Sequence, residues 1–174
     1  MRSLLIPSLV FLSAGSACFG QASPKGQERI EKEVKHELRL LPYFTVFDNL
    51  AFQVEGDKVI LLGQVVDPVL KADAQRVVEK IEGVSSVENR IEVLPVSSND
   101  DRIRRAVYRA IYSTPGLDLY ALRAVPTIHI LVKNGNLTLV GAVGNEMDRE
   151  RAGIVANGVP GVFKVTNDLI VDKR

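Results

Sequence analysis

The sequence predicts an α+β protein built from two tandem copies of one small module, each a two-layer sandwich in the order αββαβ. Three observations support this fold class. The second half of the chain repeats the first at a constant offset of 78 residues, the apolar spacing in each copy changes from helical to alternating, and each copy contains a tight-turn signal between two strands. Each module is expected to place two helices on one face of a three-stranded sheet.

The N-terminus has the features of a signal peptide over residues 1–22. Arg2 precedes an apolar run from Leu4 to Ala14, and small residues follow near position 22. The run is interrupted at Gly15, short of the ~20 apolar residues that span a bilayer. An uncleaved anchor and lipid attachment at Cys18, the single cysteine, remain as alternatives. The sequence therefore predicts an exported, periplasmic protein whose mature part has no disulfide.

The mature chain is expected to divide into modules at 23–95 and 96–174, with opposite charge. The first range contains 10 basic and 13 acidic residues, whereas the second contains 11 and 8. Their charges cancel over the whole mature chain, which argues against a nucleic-acid partner. The positive second module favours an anionic surface as its partner.

The repeat matches fall on residues expected in cores and turns. Each copy begins with an amphipathic helix, and the irregular stretch after it is about five residues longer in the second copy. Ser98, followed by Asp101, is similar to a capping box at the start of the second copy's helix. The apolar stripes of the two helices are Ile30, Val34 and Leu38, and Ile103, Val107 and Ile111.

A β-hairpin follows each first helix. Gly56-Asp57 and Asn134-Gly135 are the predicted turns, because such residues tolerate the positive φ that two-residue turns need. Gly63 and its equivalent Gly141 lie in the buried phase of the second strand. There, the missing side chain is expected to let a helix approach the sheet closely.

A second helix and a last strand complete each copy. Gly83 and Gly161 are predicted to end the second helices in the left-handed conformation. Asn89 and Asn167 lie in the inward phase of the last strand, where an unpaired amide would be costly. Both side chains are therefore expected to hydrogen-bond backbone at the corner between helix and strand.

These motifs resemble the BON domain, a family named after bacterial osmotically induced and nodulation proteins. The resemblance rests on Val59 to Val65 and on Gly83-Val84-Ser85-Ser86-Val87-Glu88-Asn89, and it recurs in Leu137 to Val143 and Gly161 to Leu169. It implies a periplasmic or envelope protein, associated with osmotic or envelope stress, that binds phospholipid surfaces or partner proteins. The family offers no catalytic residues to transfer.

The residues themselves do not indicate an enzyme. His36 and His129 are the only histidines, and they lie in a charged helix and in the outward phase of a strand. No carboxylate cluster, nucleophile elbow or phosphate loop is recognisable. We expect no catalytic residue, metal, cofactor or small-molecule substrate.

The best candidate site is a row of arginines on the first helix of the second copy. Arg102, Arg105 and Arg109 share one helix face, opposite the apolar stripe, and would attract anionic phospholipid headgroups. An ordinary solvated helix face is the alternative interpretation.

Apolar residues in the outward phase of the strands form a second candidate surface. Such a surface would either pack the two modules together or bind an envelope protein. The alternative function is therefore a periplasmic adaptor or chaperone-like stress protein. The residues concerned are Ile60, Leu62, Leu131, Val140 and Ile170.

Overall fold

The computed structural model describes residues 24–122 and 125–172, so the predicted leader lies outside the described residues. Two α+β modules follow one another along the chain, which confirms the predicted fold class. The first contains α1 (Pro24–Arg39), β1 (Asn49–Glu55), β2 (Lys58–Val65), α2 (Pro68–Val78), β3 (Ser86–Asn89) and β4 (Glu92–Val93). The second contains α3 (Ser98–Tyr112), a 3-10 turn (Asp118–Ala121), β5 (Ile128–Lys133), β6 (Asn136–Val143), α4 (Glu146–Asn157) and β7 (Lys164–Val171).

Both sheets have the same topology. An antiparallel hairpin, β1–β2 or β5–β6, is extended by a last strand that runs parallel to the second. In the first module this last strand is divided into β3 and β4, which both pair with β2, so four strands are present where three were predicted. The chain keeps its course across the break, because the Arg90 amide donates to the Leu61 carbonyl at 2.8 Å.

The hairpin turns contain two residues each, as the sequence indicates. Glu55 pairs with Lys58 in the first module, and Lys133 pairs with Asn136 in the second. In the second turn both central residues, Asn134 and Gly135, have positive φ. This geometry matches the right-handed twist of the flanking strands.

Helices α2, α3 and α4 begin at polar caps. The Ser97 hydroxyl accepts from the Asp100 amide at 3.2 Å, so α3 is capped one residue before the predicted Ser98. Asp67 and Asn145 cap α2 and α4 in the same way. Each cap satisfies an amide that the helix cannot pair internally.

Gly63 and Gly141 are required for a different reason from the one predicted. Both have φ of 117°, and a Cβ on either would lie 2.0 Å from a backbone oxygen of the adjacent strand segment, that of Asn49 or Thr127. The backbone of the adjacent strand segment, and not a helix, therefore leaves no room for a side chain at these two positions.

Gly83 and Gly161 do not end the helices. Helix α2 already ends at Val78 and α4 at Asn157, and the glycines follow in the next turn with φ near 93°. A Cβ on Gly161 would lie 3.2 Å from Arg102 Nη2. These glycines therefore bring the turn close to the first helix of their module.

Asn89 and Asn167 join the last strand to the second helix. The Asn89 amide donates to the Lys71 carbonyl at 2.9 Å, and that of Asn167 donates to the Arg149 carbonyl at 2.7 Å. Lys71 and Arg149 are themselves equivalent in the repeat. The same side chain–backbone bond thus fixes the helix-to-strand corner in both modules.

Each module has its own core between helices and sheet. Ile30, Val34, Val59, Leu61 and Ala74 are among the buried residues of the first. The equivalent residues of the second are among Ile103, Val107, Leu137, Leu139 and Ala152. Each core buries the apolar stripe of the helix against alternate strand residues.

Candidate functional site

Helix α3 carries the predicted arginine row on its solvent side. Ile103, Val107 and Ile111 are fully buried against the sheet. Arg102, Arg105 and Arg109 lie on the opposite side and are exposed. Amphipathic packing therefore turns these three side chains outward.

The row is unusual because its cations have no acidic partner. Within residues 24–122 and 125–172, six of ten arginines form ion pairs, whereas the three of the row and Arg39 do not. Arg102 Nη2 donates to the neutral Asn99 side chain at 2.7 Å. The positive charge of the row is therefore not cancelled by a neighbouring carboxylate.

Arg104, the fourth arginine of this helix, has a structural role. Its side chain is 3% exposed, and Nη2 donates to the Val132 carbonyl at 2.7 Å. Nη1 pairs with Asp101 at 2.5 Å. Arg104 thus ties α3 to the edge of the sheet and is not available to a ligand.

Asp100 is a buried residue whose role the sequence analysis missed. Its carboxylate accepts from the Asn134 and Gly135 amides, at 2.8 and 2.9 Å, and joins the start of α3 to the hairpin turn. The only signal in the sequence was that an acidic residue is favourable at a helix N-terminus.

The predicted outward apolar positions are divided between buried and exposed sites. Ile60 and Leu131 are each 4% exposed, so neither is open to a partner protein, and the interpretation that these positions pack the two modules together stays a prediction. Leu62 and Val140 are half-buried, whereas Ile170 is 65% exposed.

The outer faces of the two sheets lie close to each other. Lys133 Nζ on β5 forms an ion pair with Glu92 on β4. The other oxygen of that carboxylate accepts from the Gln64 side chain of β2 at 2.6 Å. This polar bridge connects strands of both modules, and Leu131 lies on the same face of β5 as Lys133.

The segment between α1 and β1 makes a second contact between the modules. The Val46 side chain is buried in the core of the second module, and its carbonyl accepts from the Ile130 amide at 2.8 Å. Phe47 contacts Tyr108 with ring centroids 6.2 Å apart, and Phe44 contacts His129 at 5.6 Å. No sequence signal distinguished this segment from an ordinary loop.

The sequence profile of one known family matches both modules. The BON domain profile matches residues 27–95 and 99–173. The chain belongs to the BON domain family. No curated protein shows a significant sequence match to it.

Solved structures similar to this tandem BON protein include two of CdsD, a structural protein of the type III secretion system of Chlamydia trachomatis. For its C-terminal domain the identity is 13% and the TM-score 0.28, with 81% of this chain and 96% of that chain covered. For the second structure the values are 12% and 0.30, with 83% and 92% covered. At these TM-scores the likeness carries no functional information.

A cleft of about 890 Å³ lies between the BON domains. Its walls include Arg39 and Phe44 of the first domain, and His129 and Ile170 of the second. Burial lowers the pKa of His129, although the Asp48 carbonyl, the charge of the Asp48 carboxylate and the Thr45 carbonyl act in the opposite direction. His129 is therefore a neutral interdomain residue at pH 7.

Other titratable groups of the BON domains owe their shifts to local pairing or burial. Hydrogen bonds from Arg90 and Lys58 lower the pKa of Glu88 to about 2. Burial raises the pKa of Tyr112, whose hydroxyl donates to the Ile128 carbonyl at 2.6 Å. Among the described residues, no group of three or more His, Cys, Asp or Glu side chains is arranged to hold a metal. No helix there is sufficiently long and apolar to cross a membrane.

Proposed function

We propose that this protein is a non-enzymatic envelope protein whose second BON domain associates with anionic phospholipid surfaces. Arg102, Arg105 and Arg109 are the proposed contact. BON domains are linked to phospholipid binding and to envelope proteins, which supports this class of function. The predicted leader at residues 1–22 supports an exported, periplasmic location.

The observation that carries the proposal is the absence of acidic partners for the row. An arginine that already forms an ion pair with a carboxylate gains little free energy from binding a phosphate, because the carboxylate neutralises most of its charge. An unpaired arginine can instead offer its planar fork of donors to a phosphate. Each basic residue near an anionic membrane surface contributes roughly 1 kcal/mol, so three together support measurable association.

Co-sedimentation with vesicles tests this proposal. The protein without residues 1–22 is expected to bind vesicles of phosphatidylglycerol and phosphatidylcholine, and not phosphatidylcholine alone. Changing all three arginines to glutamate (R102E/R105E/R109E) is expected to weaken binding at least about a hundredfold. Added salt should weaken it too, because the Debye length is ~10 Å at 0.1 M.

A matched control is available in the first BON domain. Lys25, Lys32 and Lys35 are exposed on α1, and K25E/K32E/K35E changes the net charge by the same amount. Retained binding of this variant is expected if the row is the contact. An equal loss of vesicle binding in both variants would mean that net charge alone causes the effect, and it would contradict the arginine row as the contact. Binding that does not depend on lipid charge would contradict it as well.

An adaptor or chaperone-like protein is the weaker candidate. It would use the outward apolar residues of the sheets, but Ile60 and Leu131 are buried. Exposed Ile170, which lines the interdomain cleft, is the residue that favours it.

A further inference from the structure

One end of the second BON domain brings together the start of α3, the β5–β6 turn and the segment before β7. The Phe163 amide donates to the Gly135 carbonyl at 2.9 Å, and the Gly135 amide donates to the Asp100 carboxylate on α3. The guanidinium of Arg102 lies over Gly161. Phe163 and the first arginine of the row therefore belong to one surface.

Phe163 is an exposed aromatic residue held against a turn. It is 80% exposed, yet its ring lies so close to Gly135 that a Cβ there would be 2.4 Å from the ring carbon Cδ2. Because glycine has no Cβ, the Phe163 ring can pack directly against the turn. A large apolar side chain is thus fixed in an exposed position and not buried in the core.

The equivalent end of the first domain differs in charge. Arg29, the counterpart of Arg102, also lies over a glycine, but it forms ion pairs with Glu33 and Glu82 at 3.4 Å each. The corresponding residues in the second domain are Ala106 and Pro160, which cannot pair with a cation. The exchange of two residues therefore leaves Arg102 without an ion pair.

The same end also differs in polarity. Phe163 and Lys164 in the second domain correspond to Ser85 and Ser86 in the first. The Asp100 carboxylate is 1% exposed and already accepts two backbone amides, so it offers little opposition to an approaching anion. Of these two equivalent ends, that of the second domain thus combines an exposed ring with cations that lack carboxylate partners.

We propose that Phe163 is an interfacial anchor that enters the headgroup region of an anionic bilayer, with Arg102 and Lys164 binding lipid phosphates beside it. This inference rests on the proposed function and specifies which part of the surface inserts. Moving an aromatic ring from water to the boundary between headgroups and acyl chains lowers its free energy. Flanking cations match the negative surface potential there.

The chain contains no tryptophan, so single tryptophan reporters test the anchor directly. F163W places the fluorophore at the proposed anchor, and S85W places it at the exposed equivalent position of the first domain. With phosphatidylglycerol/phosphatidylcholine vesicles, F163W emission is expected to shift to shorter wavelength and to be quenched by lipids with brominated acyl chains. S85W emission is expected to remain unchanged.

Replacing Phe163 with the residue of the first domain measures the contribution of the ring. F163S is expected to weaken vesicle binding about tenfold, which corresponds to about 1.4 kcal/mol. Circular dichroism should show unchanged folding, because the side chain is exposed.

The results separate this inference from the proposed function. Sedimentation with anionic vesicles without any change in F163W emission would overturn the anchor and leave the lipid contact standing. An equal response of F163W and S85W would also overturn it, because the two ends would then be equivalent. Absence of sedimentation would overturn both proposals.

Discussion

At the scale of single residues, the repeat keeps glycine at positions where the backbone geometry disfavours any residue with a side chain. Gly63 and Gly141 have the same φ of 117° and meet the same obstacle, a backbone oxygen of the neighbouring segment. A side chain would need both an unfavourable φ and a shift of the sheet. Charged surface positions carry no such constraint, so Arg29 and Arg102 keep their place while their partners differ.

Replacing Gly63 or Gly141 with alanine should lower the free energy of unfolding by about 2–4 kcal/mol, from strain at positive φ and the clash with backbone. Urea unfolding followed by circular dichroism measures this change. Gly56 is the control, because its φ is 68° and a Cβ there would meet nothing within 4 Å. G56A should cost only about 1 kcal/mol. Similar losses in all three variants would contradict the role of the close approach.

At the scale of elements, the segment between α1 and β1 completes the sheet of the other domain. Strand β5 pairs with β6 on one side only, which would leave its other edge open. The Val46 carbonyl accepts from the Ile130 amide at that edge, and the Val46 side chain fills the adjacent core. An edge covered in this way is protected from pairing with other chains.

Val46→Ala tests whether this segment stabilises the second domain. The variant is expected to lower the free energy of unfolding by about 1.5–2.5 kcal/mol, because it removes two buried carbons and leaves a cavity. V96A is the matched control, since Val96 is fully exposed. Chemical denaturation of the whole mature chain gives both values. No difference between the variants would mean that the segment only rests on the surface.

At the scale of the whole molecule, the two BON domains are held together by both polar and aromatic contacts. Glu92 joins Gln64 of its own sheet to Lys133 of the other domain. The His129 ring contacts the Phe44 ring in a tilted arrangement and is half-buried at the same interface. A charge on that imidazole would lose hydration, so the interface favours its neutral form.

The pH dependence of stability follows from His129. Burial lowers its pKa below the ordinary 6.5, so the unfolded chain takes up the proton first as the pH falls. The stability that the neutral imidazole contributes is therefore present above about pH 6.5 and is lost below it. Urea unfolding at about pH 7.5 and about pH 5 should show a larger loss for the wild type than for H129Q.

The other histidine provides the control for this pH effect. His36 is exposed on α1, so H36Q should keep the wild-type pH dependence. If H36Q and H129Q behave alike, the interface histidine is not the cause.

The sequence allowed much of the fold to be predicted because local signals agreed with one another. The 78-residue offset, the alternating strands and the Asn134-Gly135 turn each depend on nearby residues. The outward exposure of Arg102, Arg105 and Arg109 follows from helical spacing alone. The burial of Ile60 and Leu131 could not be read in this way, because strand alternation distinguishes two faces but does not reveal what covers the outer one.

The sequence by itself determined two α+β modules, their turns and the face of α3 that carries arginines, since these features depend on contacts within a few residues or on the repeat. Only the tertiary structure decided that Val46 enters the other domain's core, that Asp100 holds a hairpin turn and that Arg102 lacks the carboxylates that neutralise Arg29. Each of these depends on residues far apart in the chain. Their proximity is fixed by packing, which local spacing does not encode.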